Sequence, residues 1–221
     1  MVLVGKLTFK PGMMLNPVPA VMVSCGDDKE KNIITIAWTG IINSEPPMTY
    51  VSVRKERHSH HIIKRTGEFV INLTTEKLAF ATDYCGVRSG RDVDKFKEQD
   101  LTAEKSKVVG CPSIAESPVN IECRVTEVKE LGTHDMFMAE IVSVSVDEEL
   151  MDETGKLCLE EAGLLAYNHG HYFALMKTPI GRFGYSVMKA KTKKKLNAQR
   201  KRSNNVNKNK HNSINKTRRK K

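Results

Sequence analysis

The chain has 221 residues, 39% hydrophobic and 28% charged, which is the composition of an ordinary globular protein able to bury a sizeable core. It contains no apolar run of the roughly 18 residues a membrane helix needs. The first twelve residues carry Lys6 and Lys10 where a signal peptide has an unbroken apolar core, so a cytoplasmic location is expected. The formal charge of +10 is unevenly placed: 15 of the 36 Lys and Arg lie from Lys189 onward with no acidic residue among them. The remainder holds 21 bases against 26 acids, a formal charge of −5. One domain over 1–188 and a disordered, basic, Asn- and Lys-rich tail over 189–221 are therefore expected, because the tail lacks the apolar surface to offset its ordering entropy.

In chain order, Pro19 to Ser24 reads as a short apolar strand and Gly26-Asp27-Asp28-Lys29 as a turn. Ile33 to Ile42 reads as one β-branched strand ending before Pro46-Pro47. Thr49 to Val53 alternates, with Tyr50, Ser52 and Arg54 opposite Val51 and Val53. Ser59 is placed to cap a helix through Arg65, with Gly67 as its stop. Phe69 to Leu73 is the next strand, and Thr74 or Thr75 caps a helix over Glu76 to Tyr84. A weaker helix covers Val93 to Gln99. Val119 to Val125 and Met136 to Val146 alternate as half-buried antiparallel strands, and Tyr172 to Met176 is the last strand. Many short antiparallel strands with few peripheral helices predict a mainly β protein built on a small barrel.

Five cysteines, odd in number and without a Cys-x-x-Cys pair, argue against a zinc ribbon, an iron–sulfur cluster or a dithiol centre and read mostly as core fillers. No Gly-x-Gly-x-x-Gly or Gly-x-x-x-x-Gly-Lys-Ser/Thr motif supports a Rossmann or P-loop nucleotide site. His58, His60 and His61 form a cluster, but they lack the i, i+4 spacing of a helical metal pair, and no metal is expected. His134, His169 and His171 are left without a role, and no nucleophile–base pair stands out.

Four segments in order carry a resemblance: Asn16 to Gly26 with Asn32 to Trp38, Pro46 to Arg54 with His58-Ser59, Thr66 to Leu73, and Ser89 to Phe96. Over roughly Leu15 to Leu175 the chain resembles the flavin reductase-like family, and its flavoredoxin branch most closely. The resemblance implies a split β-barrel, usually a homodimer, that binds FMN without covalent attachment. It implies a flavin slot lined by Asn32, Thr35, Ala37 and Trp38 and by Val51, Ser52 and Val53, with Asn72 near the ribityl chain. Arg54 at a strand end and Ser59 at a helix start can converge on the phosphate, and Ser89 and Arg91 offer a second set of donors. Each has an ordinary alternative: a core tryptophan, a helix cap, solvated arginines.

The function expected on this basis is an oxidoreductase that takes hydride from NAD(P)H onto FMN and passes electrons to free flavin, ferric iron or a protein. The alternative is an electron carrier of flavoredoxin type, fed by a redox partner protein without direct NAD(P)H use. A third reading, nucleic-acid binding, rests on the tail alone, which is expected to bind polyanions weakly and without sequence preference.

Overall fold

The turn at Gly26 is dictated by its chemistry. Gly26 adopts φ 125°, and a Cβ there would lie 2.0 Å from the Glu30 carbonyl oxygen. The Asp27 carboxylate then accepts from the amides of Lys29 (2.9 Å) and Glu30 (3.0 Å), closing an Asx turn between two apolar strands. The structure, a computed structural model, describes residues 5–176, 178–189 and 192.

The elements follow in order as β1 (Val18–Pro19), β2 (Val21–Gly26), β3 (Lys31–Ile36), β4 (Thr39–Ser44), β5 (Pro47–Arg54), α1 (His58–Thr66) and β6 (Glu68–Asn72). After a single helical turn at Glu76–Leu78 come α2 (Ala79–Val87), α3 (Lys95–Glu98), β7 (Ala103–Glu104), β8 (Ser113–Ile114), β9 (Val119–Glu130), β10 (His134–Val146), β11 (Leu165–Asn168) and β12 (His171–Ala174). Seven strands form one antiparallel sheet in the order β3-β2-β6-β9-β10-β5-β4. The strands at its two ends, β3 and β4, are consecutive in the chain and separated only by Ala37 and Trp38. The sheet therefore curls on itself, and the amide of Ser52 donates to the Trp38 carbonyl at the join (3.0 Å). This is the split barrel. The apolar run Ile33 to Ile42 gives one strand in the sequence reading and two in the structure, because hydrophobicity continues through a corner where the backbone changes sides.

One core fills the barrel, with Val23, Ile34, Val51, Phe69, Cys123 and Phe137 all buried. Ile62 and Ile63 of α1 plug its end. A second core lies outside, where Met22 and Ile33 meet Leu78 and Cys85 and the Phe96 ring of α3. Strand β2 is consequently buried on both faces.

Helix α1 stops as its sequence dictates: Gly67 is left-handed (φ 69°), its amide donates to the Ile63 carbonyl (2.9 Å), and Lys64 and Arg65 face the negative end of the helix. Its start differs from expectation. The cap is Arg57, and Ser59 lies inside the first turn, where its hydroxyl accepts from the Asn32 amide rather than from the helix backbone. The expected second helix begins as a tight turn whose cap, Thr75, makes no side-chain bond, while Thr74 donates to the Ala20 carbonyl. Asp94 caps α3 by accepting from the Lys97 amide (3.2 Å). Strand β11, unforeseen in the sequence, joins β1 and β12 in a separate three-stranded sheet.

The chain divides into two units, Met1–Lys177 and Thr178–Lys221. The first holds all three sheets, the smallest being the β7–β8 pair; in the second a single turn at Tyr185–Val187 is described. The expected disordered tail falls, apart from Lys189 and Thr192, outside the described residues. Among the described residues, no helix is long and apolar enough to cross a membrane.

Candidate functional site

A groove runs along the outside of the barrel from the start of α1 to the β3–β4 corner. Its first part is a cavity of about 310 Å³. Four cationic side chains line it, Arg57, Arg88, Arg91 and Lys95, against one carboxylate, Glu56. The hydroxyls of Ser59 and Ser89 line it too. The turn that carries Ser89 is held by the amides of Asp92 and Val93, which donate to the Ser89 carbonyl, and by the Arg91 amide, which donates to the Ser89 hydroxyl (3.2 Å). The Arg91 guanidinium is fixed by donation to the Glu56 carbonyl (3.2 Å).

Two features suit this cavity to an anion. Lys95 is only 4% exposed, yet its ammonium donates to the carbonyls of Ile33 (2.7 Å) and Cys85 (2.8 Å). An ammonium has three donors, and the structure uses two on the wall of the cavity. Burial pushes its pKa down to about 8. The second feature is Gly90. A Cβ on it would lie 2.2 Å from Oδ1 of Asn32, whose amide donates to Ser59 Oγ (2.8 Å). Glycine at 90 is what lets the loop lie flat on that amide and leaves the cradle open. Cations, hydroxyls and a close-packed glycine turn are the donor set a phosphate dianion requires.

The groove continues into a second cavity of about 150 Å³, sharing Ile34 and Arg57 with the first and adding Thr35, Ala37, Trp38, Ser52, Arg54 and His134. The His134 ring lies against Trp38 (centroids 4.5 Å apart, 35° between planes), and burial holds its pKa down. A wider, apolar third cavity of about 720 Å³ shares Ala37 and Trp38 and is walled by Met13, Tyr50 and Tyr167. Trp38 is 40% exposed, a groove residue and not a core one.

The residues expected from the sequence thus separate into three sets. Asn32, Ser59, Ser89 and Arg91 meet in the first cavity, and Thr35, Ala37, Trp38, Ser52 and Arg54 line the second. Arg54 lines the second cavity, paired with Glu56 (3.4 Å), and not the cationic one. Val51, Val53 and Asn72 are not brought to the groove. The two valines are 0% and 1% exposed and point into the barrel, because on an alternating strand only Ser52 between them faces out.

Asn72 is a structural node. Its Nδ2 donates to the Met22 and Val70 carbonyls and to Ser24 Oγ, and its Oδ1 accepts from the Ile114 amide and from Asn120 Nδ2. Nothing of the amide is left for a ribityl chain. Asn72→Ala should lower stability by at least about 2 kcal/mol, since it strands buried donors from two other elements, while the folded variant keeps its affinity for FMN. Thermal unfolding beside a flavin titration checks this, and a large loss of affinity with unchanged stability would return Asn72 to the site.

Sequence reasoning missed Arg57, Arg88 and Lys95. Arg57 lies three residues beyond Arg54 and lines both cavities, whereas Arg54 lines only the second. The burial of Lys95 has no sequence signature, because lysine in a polar helix reads as solvated.

Residues 13–176 match the model of the flavin reductase like domain. The fold superimposes on the flavoredoxin of Desulfovibrio vulgaris (Miyazaki F) with a TM-score of 0.76 and 28% identity, over 82% of this chain and all of that one. A flavoredoxin from Methanosarcina acetivorans gives a TM-score of 0.75 at 25% identity, over 84% of this chain and 100% of that one. The ferric-chelate reductase (NAD(P)H) of Archaeoglobus fulgidus is 26% identical over 139 residues, 62% of this chain and 74% of that protein. With a barrel closed at Trp38 and a cationic cavity at the start of α1, and with three quarters of its length matched, the chain belongs to the flavin reductase-like domain family.

Proposed function

We propose that the protein is an FMN-dependent oxidoreductase that takes hydride from NAD(P)H. The observation that carries this is the continuity of the groove, from a cavity with four cationic side chains to an exposed tryptophan at the barrel corner. Membership of the family supports a flavin-related redox function, and the relative named as a ferric-chelate reductase (NAD(P)H) supports the choice of donor.

The residues divide the work by position. Arg91, Lys95, Ser59 and the Ser89–Gly90 turn hold the phosphate, with Arg57 reaching both cavities. The exposed edge at Ala37–Trp38 and Ser52 presents backbone and hydroxyl groups to the ring, and the Trp38–His134 pair closes one side. When bound, FMN supplies a ring that accepts hydride and passes electrons to free flavin, ferric iron or a protein acceptor. No side chain needs to act as nucleophile.

One observation favours the alternative, a flavoredoxin-type carrier fed by a partner protein. Among the described residues, the lining of the third cavity contains no Lys or Arg that would hold the phosphates of a pyridine dinucleotide. Anaerobic addition of NADH or NADPH to the FMN-loaded protein separates the two. Bleaching of the flavin absorbance within seconds supports the reductase; a flavin that stays oxidised until a reduced partner protein is added supports the carrier.

We also propose a homodimer formed around the open end of the groove. Leu15 (87% exposed), Ile41 (74%) and Trp38 leave an apolar surface beside β4, an edge strand of the sheet. Sedimentation showing a monomer at micromolar concentration would count against it.

A further inference from the structure

The three histidines of α1 do not act together. His60 is buried and turned into the fold, where Nε2 meets the Asp135 carboxylate at 2.8 Å and the ring packs edge-on against Phe137. His58 and His61, three residues apart and so on one face of the helix, turn the other way. Both face Glu30, which follows the β2–β3 turn: its Oε1 lies 3.3 Å from His58 Nε2 and 3.8 Å from His61 Nε2. One donor atom from each of the three lies within 4.8 Å of the others.

We propose that Glu30, His58 and His61 form a binding site for a divalent cation of the Zn²⁺ class. Donors bound at about 2.1 Å to a tetrahedral ion stand about 3.4 Å apart, close to the separations of the two imidazoles from the carboxylate. Two imidazoles and one carboxylate suit Zn²⁺ and leave its fourth position open to water.

The surroundings prepare each ligand. The second oxygen of Glu30 accepts from Arg65 (3.1 Å), and Arg65 is itself held by Asp27 (2.6 Å), so the carboxylate is oriented with Oε1 toward the histidines. His58 is only 15% exposed, and its Nδ1 is buried without a partner, so Nε2 is the ring's polar outlet. His58 also lines the cationic cavity, so an ion here would stand beside the proposed phosphate cradle without sharing its ligands Arg91, Lys95 and Ser89.

The test uses the full-length, FMN-loaded protein without an affinity tag. Zn²⁺ is titrated against a chromophoric chelator, and Co²⁺ is added separately to read its visible ligand-field bands. The expected result is one tight Zn²⁺ per protomer and tetrahedral Co²⁺ bands. Glu30→Gln and His61→Ala should each weaken Zn²⁺ roughly tenfold or more and abolish the bands, with flavin content unchanged. His171→Ala, an exposed histidine at the start of β12, should leave both unaltered. Zn²⁺ affinity equal in the wild type and both ligand variants, or Co²⁺ without tetrahedral bands, would overturn the proposal. His61 has a side chain 53% exposed, so its replacement does not threaten the fold.

Discussion

Gly90→Ala is expected to weaken FMN binding by at least about tenfold and to lower stability by roughly 1–3 kcal/mol. The new Cβ would stand 2.2 Å from Oδ1, 2.5 Å from Cγ and 2.7 Å from Nδ2 of Asn32, contacts that no small adjustment relieves. Asn32 is 4% exposed and has little room to turn away. Either its amide leaves Ser59, ending the 2.8 Å bond that fixes that hydroxyl on the cavity wall, or the loop carrying Ser89 and Arg91 lifts. Both movements spread the donors of the first cavity. Flavin fluorescence titration measures affinity, and thermal unfolding of the flavin-free protein separates the folding cost from the binding loss. An alanine variant with wild-type FMN affinity would show that the loop is not part of the cradle.

Replacing Lys95 has a second, opposite pair of consequences, separated by pH. Its ordinary pKa of 10.5 is lowered to about 8 by burial, so the flavin-free fold disfavours the ammonium. That cost is fully present below about pH 8, where the group is charged in both folded and unfolded chains, and fades toward pH 10.5, where it is neutral in both. Stability of the flavin-free protein should therefore gain a rising contribution across that window. FMN affinity should move the other way. The phosphate, with a second pKa near 6, is a dianion throughout, while the ammonium that meets it is lost above about pH 8. Lys95→Met should remove the decline of affinity with pH and, at pH 7, weaken FMN by roughly tenfold to a hundredfold, the worth of one charge-assisted contact. FMN affinity flat from pH 7 to 10 in the wild type would place the lysine outside the phosphate's reach.

How much of this was legible in the chain depends on the kind of residue. Alternation exposed β5 and β10, since period-2 burial writes itself into Thr49 to Val53 and His134 to Ala139; it also exposed β9, although Asn120 and Glu122 on the polar face of that strand are buried as well. Gly67 exposed the end of α1, because a left-handed stop asks for glycine. The corner at Ala37–Trp38 was hidden inside a continuous apolar run, and with it the split between β3 and β4. In the site, the ordered family segments delivered Asn32, Ser59, Ser89 and Arg91 to one cavity and Trp38 to the groove. Asn72 stands in the core: a buried amide signals only that it has partners, and here the partners are β2, β8 and β9. The pairing of His58 and His61 with Glu30 was illegible for a related reason. The ligands are joined by the β2–β3 turn and the Arg65–Asp27 ion pair, which bring together positions nearly thirty residues apart.

The affinity of FMN relative to riboflavin, measured by fluorescence titration at pH 7, tests most directly whether the cationic cavity is a phosphate site. The two ligands share the ring and ribityl chain and differ only in the phosphate. Contacts from Arg91 and Lys95, at about 1.5–3 kcal/mol each, make FMN tighter by roughly a hundredfold or more. The Arg91→Ala, Lys95→Met double variant should lose most of that preference for FMN over riboflavin. Equal affinities for FMN and riboflavin in the wild type would contradict the account.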